Sequence, residues 1–153
     1  MANNFNFKIE IQVDADLTKW LKEGYEQAFE RVADELDGRF NAALDEKKWA
    51  WPRTSANGKG TTRSINDTGG LVGSGDYDVN GLKAEWSWNK KYAAAVHDGA
   101  WIYPWGDKSK EKVELPPRPW TTAVLKGAPG YSGETYDIGA AMQKYIPKYL
   151  KGN

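Results

Sequence analysis

The chain has 153 residues, with 21 basic and 21 acidic side chains and no cysteine. The length predicts a single domain over residues 1–153, and the balanced charge gives no excess that would favour nucleic acid or an anionic membrane as the partner. The lack of cysteine excludes disulfides, thiolate metal sites and cysteine nucleophiles, and it fits a reducing cytosol. The sequence shows no signal peptide at Met1–Lys8 and no apolar stretch of about 20 residues that would predict a transmembrane helix.

Aromatic residues are unusually abundant, with eight tryptophans and eight tyrosines. A Trp-rich core would account for them without any binding role. A monomer of this size has little room to bury them all, however, and aromatic residues are enriched at the buried centres of interfaces. A core and an interface or ligand surface are therefore both open interpretations.

The N-terminal part predicts a strand followed by a long helix. Apolar and polar side chains alternate from Phe5 to Val13, which indicates a strand with one buried face within residues 1–13. Asp14 or Asp16 can cap the helix that follows, because the apolar positions then recur every three or four residues. This helix is expected within residues 14–46, over about 28 residues or on the order of 40 Å. Such length exceeds the needs of a small globule, so part of the helix is expected to pack against a neighbouring subunit.

A basic segment follows the helix. Residues 52–62 are small and polar and contain the turn signal Asn57-Gly58, so they predict a flexible loop. Five basic residues and no acidic residue lie in and around this loop, namely Lys47, Lys48, Arg53, Lys59 and Arg63. The segment is either a solvated basic loop or a contact for phosphates or for an acidic neighbouring surface.

Residues 63–126 predict a sheet-rich core, and residues 134–153 a C-terminal helix. Leu82, Ala84, Trp86 and Trp88 alternate with polar residues and indicate a strand with two tryptophans on one face. The other expected elements are a helical turn at Tyr92–Val96, a hairpin or long loop at Trp101–Glu114, a short helix from Pro119 to Lys126, a linker at Gly127–Gly133 and a last helix from Tyr136 to about Leu150, kinked or shortened by Pro147. The predicted class is α+β: a long N-terminal helix packed on a small, mostly antiparallel sheet, with short C-terminal helices.

Three short patterns resemble catalytic or ligand-binding motifs but lack the context that the chemistry needs. Asp67-Thr68-Gly69 is the aspartic-protease string, yet that chemistry needs two carboxylates sharing a proton, hence two copies of the string or a symmetric dimer, and an apolar strand before the Asp. The chain has one copy, preceded by polar residues. Capping of a turn or helix by Asp67 is the favoured interpretation. His97 is the only histidine, so it is expected to be a hydrogen-bonded structural residue beside Asp98. Gly58–Thr62 lacks the spacing of a phosphate-binding loop. We therefore expect no enzyme and no catalytic, cofactor-binding or metal-ligating residue.

A carbohydrate-binding module is the alternative from another functional class. Trp86 and Trp88, together with Trp101 and Trp105, could form a platform on which sugar rings stack. This alternative requires the tryptophan rings to be exposed.

Three segments occur in order after the predicted long helix and a Trp51–Thr54 segment. They are Arg63-Ser64-Ile65-Asn66-Asp67-Thr68-Gly69-Gly70-Leu71-Val72-Gly73-Ser74, Tyr92-Ala93-Ala94-Ala95-Val96-His97-Asp98-Gly99 and Pro117-Arg118-Pro119-Trp120. Together they resemble the neck and tail-completion (head–tail joining) proteins of lambdoid siphophages and their relatives. The pattern R-x-I-x-D-T-G-x-L-x-x-S is the most specific part of the resemblance, which covers Trp49 to Leu125. Gly70 departs from the small apolar residue expected there, and the Trp101–Glu114 insertion is individual to this chain.

The resemblance implies a small α+β subunit that forms a ring, often sixfold, where the tail meets the filled head, with no catalysis and no cofactor. Its partners would be further copies of itself and the adjacent neck and tail proteins, with non-specific contact to DNA in the channel and no membrane, and its location the virion. The residues that match the motif, with expected structural roles, are Arg63, Asp67, Gly69, Leu71, Tyr92, Val96, His97, Gly99, Arg118, Pro119 and Trp120. The candidate interface residues are Arg53, Lys59, Trp101 and Trp105.

Overall fold

A computed structural model describes residues 5–13, 19–44, 48–49, 53–54, 62–63, 70–102, 108–109, 111, 113–115 and 117–150. Its elements in chain order are β1 (Phe5–Glu10), α1 (Lys19–Ala43), β2 (Arg53–Thr54), β3 (Thr62–Arg63), α2 (Gly70–Gly73), β4 (Gly75–Asn80), β5 (Lys83–Trp88), α3 (Ala93–Asp98), β6 (Ala100–Ile102), β7 (Val113–Leu115), α4 (Trp120–Lys126) and α5 (Ile138–Leu150). The predicted α+β class, with a long N-terminal helix and a small antiparallel sheet, is confirmed.

The main sheet has three antiparallel strands in the order β1-β5-β4. Phe5 lies opposite Trp88 and Phe7 opposite Trp86, so the apolar residues of neighbouring strands share one face. That face packs towards α1, since the ring of Phe40 lies 5.2 Å from the ring of Trp86. The two-residue turn between β4 and β5 begins at Gly81, whose φ of 64° favours glycine.

Helix α1 forms because its apolar residues recur on one side, and that side is buried. Its fully buried residues include Ala28, Phe29, Val32, Ala33, Leu36 and Phe40. The helix contacts α4 and α5 as well as the sheet. Gly24 lets α5 approach closely, because a side chain there would collide with Leu150. The helix begins at Lys19, and the predicted caps Asp14 and Asp16 lie outside the described residues.

The structure adds detail to the predicted basic loop and to the predicted last helix. At the ends of the predicted flexible loop, β2 and β3 pair in an antiparallel ladder in which Arg53 lies opposite Arg63. Residues 55–61 of the loop lie outside the described residues. The last helix begins at Ile138, two residues after the predicted start, and ends at Leu150 as predicted, with Pro147 inside it. Pro147 forfeits one backbone hydrogen bond, but the packing of Tyr145 and Leu150 against α1 continues on either side of it.

The core is rich in tryptophan. The side chains of Trp86, Trp88 and Trp120 are 0–1% exposed, and Trp49 is 4% exposed. Phe40 contacts the rings of both Trp86 and Trp88. Of the tryptophans in the described residues, only Trp20 and Trp101 are strongly exposed, at 50% and 66%. The Trp-rich core therefore accounts for most of the tryptophans that the structure describes.

Candidate assembly surface

Two of the three motif segments pack directly on each other. The backbone N–H of Arg118 donates to the carbonyl oxygen of Val96 at 2.9 Å. The ring of Trp120 lies edge-on to the ring of His97, with centroids 4.8 Å apart. Leu71, from the first segment, is fully buried in the same core cluster. These motif residues therefore belong to the folded core and not to an open cleft.

His97 is held on both sides of its ring. Its Nδ1 lies 2.8 Å from a carboxylate oxygen of Asp98, and its Nε2 lies 2.7 Å from the hydroxyl of Thr121. The ring also stacks on Phe5, with centroids 3.8 Å apart. Burial lowers the pKa of His97, and the neighbouring Asp98 partly opposes this effect. A buried histidine with both nitrogens engaged joins β1, α3 and α4, and it has no ring nitrogen left for a metal or substrate.

The remaining motif residues occupy varied places. Arg118 is 1% exposed, and Pro119 occupies the N-cap position of α4. Gly99 ends α3 with a φ of 79°, a backbone conformation that favours glycine. Tyr92 precedes α3 and is 42% exposed, so it is not part of the packed core. Arg63 lies in β3, whereas Asp67 and Gly69 lie outside the described residues.

The candidate interface residues are only partly described. Trp101, on β6 opposite Glu114 of β7, is the most exposed of the large apolar side chains that the structure describes. Arg53 lies in β2, and Lys59 and Trp105 lie outside the described residues. Trp86 and Trp88 were proposed above as part of an exposed sugar-binding platform, and that proposal is wrong for both, because their rings are buried against Phe40.

The seam between α1 and α5 carries a cluster of charged and phenolic groups that the sequence analysis missed. The carboxylate of Glu35 accepts hydrogen bonds from the hydroxyls of Tyr136, at 2.7 Å, and Tyr145. The hydrogen bond from Tyr145, followed by that from Tyr136, holds the pKa of Glu35 below its usual value against the opposing effect of burial. Glu35 is also the reason, after burial, that the pKa of Tyr136 is raised. The cluster thus fixes α5 on α1 with an ionised carboxylate.

Cations surround this cluster. The guanidinium of Arg31 lies 4.6 Å from the ring centroid of Tyr145, and the amines of Lys144 and Lys148 lie 5.2 and 5.3 Å from the same centroid. The guanidinium of Arg39 lies 5.7 Å from the ring of Tyr136. We call these four exposed side chains the basic face: Arg31, Arg39, Lys144 and Lys148. Aromatic rings below the cations hold them in place by cation–π attraction.

The side of α1 next to β4 carries the reverse charge. We call the following carboxylates the acidic flank: Glu23, Glu26, Glu30, Asp34 and Asp37 on α1. The hydroxyl of Tyr77 donates to Asp34 at 3.0 Å, which fixes the helix beside this strand. Burial first, and then the neighbouring carboxylates Asp34 and Asp76, raise the pKa of Asp37. The helical spacing of three and four residues was a signal from which the acidic flank could have been found.

Some classes of site receive no support from the described residues. No group of three His, Asp or Glu side chains among them could hold a metal ion. In the same part of the chain, no helix combines the length and apolar character needed to cross a bilayer. No family model matches the chain, and neither the curated proteins nor the solved structures contain a match.

Proposed function

We propose that the chain is a structural virion protein at the head–tail junction of a tailed phage, in the neck, tail-completion or tail-terminator ring, and that it acts by assembling into that ring. The observation that carries the proposal is the packing of the motif residues. Val96, His97, Arg118 and Trp120 are buried together and hold α3 and α4 on the sheet. Residues that define the resemblance thus define a fold, as expected for a structural subunit without chemistry.

The exposed aromatic side chains support a role in assembly. Trp101 is 66% exposed on β6, although four other described tryptophans are nearly completely buried. A large exposed indole loses favourable burial in a monomer and regains it at an interface, where tryptophan often contributes most of the binding energy. Trp101 and its hairpin are therefore the proposed contact to an adjacent ring, and Trp20 on α1 is a second exposed aromatic side chain.

Strand β1 offers a second means of assembly. It lies at one edge of the main sheet. The N–H of Ile11 donates to Leu82 just beyond the strand, so the alternation of an antiparallel ladder directs the backbone groups of Asn6, Lys8 and Glu10 away from β5. Exposed groups of this kind can pair with a strand of a neighbouring subunit.

The basic segment around β2 and β3 belongs to the same proposal. Arg53, Lys59 and Arg63 would contact the channel DNA or an acidic neighbour, because phosphate contacts need only positive charge and carry no sequence readout. The protein is made in the host cytoplasm and functions in the particle.

Inactivation of the gene in the phage that encodes it tests this function. Electron microscopy of the lysate should show DNA-filled heads and tails that are not joined, and supplying the chain from a plasmid should restore joined particles. Infectious particles of normal shape and number without the chain would overturn the proposal. A plasmid that supplies the Trp101→Ala variant is the matched comparison, because it removes an exposed contact without touching the core.

A further inference from the structure

We infer that the acidic flank of one copy of this chain binds the basic face of the next copy, so that subunits associate head to tail. The inference rests on the proposed ring and names its interface. The chain has a formal net charge of zero, yet carboxylates gather on one side of α1 and exposed cations on another. Opposite surfaces on one molecule are what a repeating heterologous contact requires.

The acidic flank presents several carboxylates on one side of α1. A groove between α1 and β4 is lined by Glu23, Glu26, Glu30, Val79 and Gly81. Within the described part of the chain, one ion pair is present on this flank, between Lys19 and Glu23 at 4.0 Å. Like charges gathered on one surface destabilise a monomer and attract a cationic partner. The partner of this flank is therefore positively charged.

The basic face has the complementary properties. Glu35 is already bound by two tyrosine hydroxyls. Among the described residues, the ion pair within 4.0 Å on this face joins Arg39 to Glu134, whose side chain is 90% exposed. The other three cations of the basic face lie against Tyr145 in cation–π contacts. Arg31 and Lys144 also interact with the carboxylate of Glu35, whose pKa they help to lower. Lys144 and Lys148 are exposed and can also face a partner.

The spacing of the two surfaces also matches. Lys144 and Lys148 are four residues apart on α5, and both are exposed. Glu26, Glu30 and Asp34 follow one another on α1 at the same interval. Residues four apart lie about one helical turn from each other. Two cations on one helix can therefore face two carboxylates on another at once, which a single isolated charge pair would not achieve.

A charge-reversal experiment tests the inference. Lys144→Glu/Lys148→Glu and Glu26→Lys/Glu30→Lys are purified separately, and their oligomers are measured by mass photometry and negative-stain microscopy. Each variant alone should need roughly tenfold or more protein than the wild type to assemble, because it places like charges together. An equimolar mixture should assemble again, since the reversed surface of one variant fits the reversed surface of the other. Wild-type assembly should weaken between about 0.1 and 1 M salt, as the Debye length falls from about 10 to 3 Å.

Controls separate the possible failures. Lys90→Glu/Lys91→Glu changes the net charge by the same amount as Lys144→Glu/Lys148→Glu, at two exposed residues outside both surfaces, and it should assemble like the wild type. Circular dichroism checks that every variant is folded. If a charge-reversal variant is not folded, the neutral variant at the same positions replaces it, either Lys144→Gln/Lys148→Gln or Glu26→Gln/Glu30→Gln. The glutamine variants should also assemble more weakly than the wild type.

The proposed interface is wrong if either folded variant assembles normally, or if the mixture stays dissociated. Neither result contradicts the proposed ring. Loss of DNA binding by the lysine variant with assembly unchanged would assign the basic face to nucleic acid instead and would also overturn the interface. A wild-type chain that forms no oligomer and is absent from virions would contradict the proposed function as well.

Discussion

Replacement of Trp120 by alanine should strongly destabilise the fold. The indole is 0% exposed and contacts the rings of Trp88, His97 and Phe5 at centroid distances of 5.3, 4.8 and 5.4 Å. A tryptophan buries about 150–250 Å², which at about 25 cal/mol per Å² corresponds to roughly 4–6 kcal/mol. Buried Trp or Phe to Ala substitutions cost about 3–5 kcal/mol, so we expect the free energy of unfolding to fall by about 4 kcal/mol.

Urea unfolding followed by circular dichroism measures this loss, at a protein concentration low enough that assembly adds no stability. The melting temperature should fall by roughly 8–16 °C, at about 2–4 °C per kcal/mol for a chain of this length. Trp120→Phe is the matched comparison and should retain part of the packing. A loss below about 1 kcal/mol for Trp120→Ala would refute the claim that the Arg118-Pro119-Trp120 segment closes the core.

Three further predictions concern an exposed residue and two titratable ones. Trp101→Ala should change the free energy of unfolding by no more than about 0.5 kcal/mol while weakening assembly in mass photometry; a large loss of stability with intact assembly would contradict its assignment to an interface. Glu35→Gln should cost about 1–3 kcal/mol at pH 7, because the ionised acceptor of two phenol hydroxyls is lost. The pKa of Glu35 is lowered in the fold from 4.5. The contribution of ionised Glu35 to the free energy of unfolding is therefore complete above pH 4.5 and disappears as the pH falls through the folded-state pKa. In thermal melts, the Gln variant should not show this acid-dependent loss of stability. Burial likewise lowers the pKa of His97 from 6.5, so stability should decrease on acidification below that value, and His97→Gln, melted between pH 7 and 5, should show a flatter profile; an unchanged slope would mean that another group is responsible.

Local patterns were sufficient to predict β1 and β5. Their apolar residues alternate, and Trp86 and Trp88 indeed share the buried face. Strand β4 was not predicted, because Gly75, Asp76 and Asp78 are poor strand formers. Its pairing with β5 and the contact of Tyr77 with α1 stabilise it. Gly81, at the first position of the two-residue turn, was the signal that was overlooked.

Of the two charged surfaces, one could be predicted from local sequence patterns and the other could not. The carboxylates of α1 recur at helical intervals, so the stripe from Glu23 to Asp37 could be predicted from the sequence. The basic face could not, because Arg31 comes close to Lys144 only when α5 docks on α1. Burial of Tyr145 and its hydrogen bond to Glu35, which is 110 residues earlier, determine that docking. The spacing of residues along the chain does not predict a contact between residues so far apart in sequence.

Quantitative mass spectrometry of purified phage particles tests the central claim most directly. If this chain forms a ring at the head–tail junction, its peptides should be present in a fixed ratio corresponding to one ring per particle. The ratio should stay constant across density-gradient fractions of intact virions. Absence of the chain from infectious particles would contradict the account.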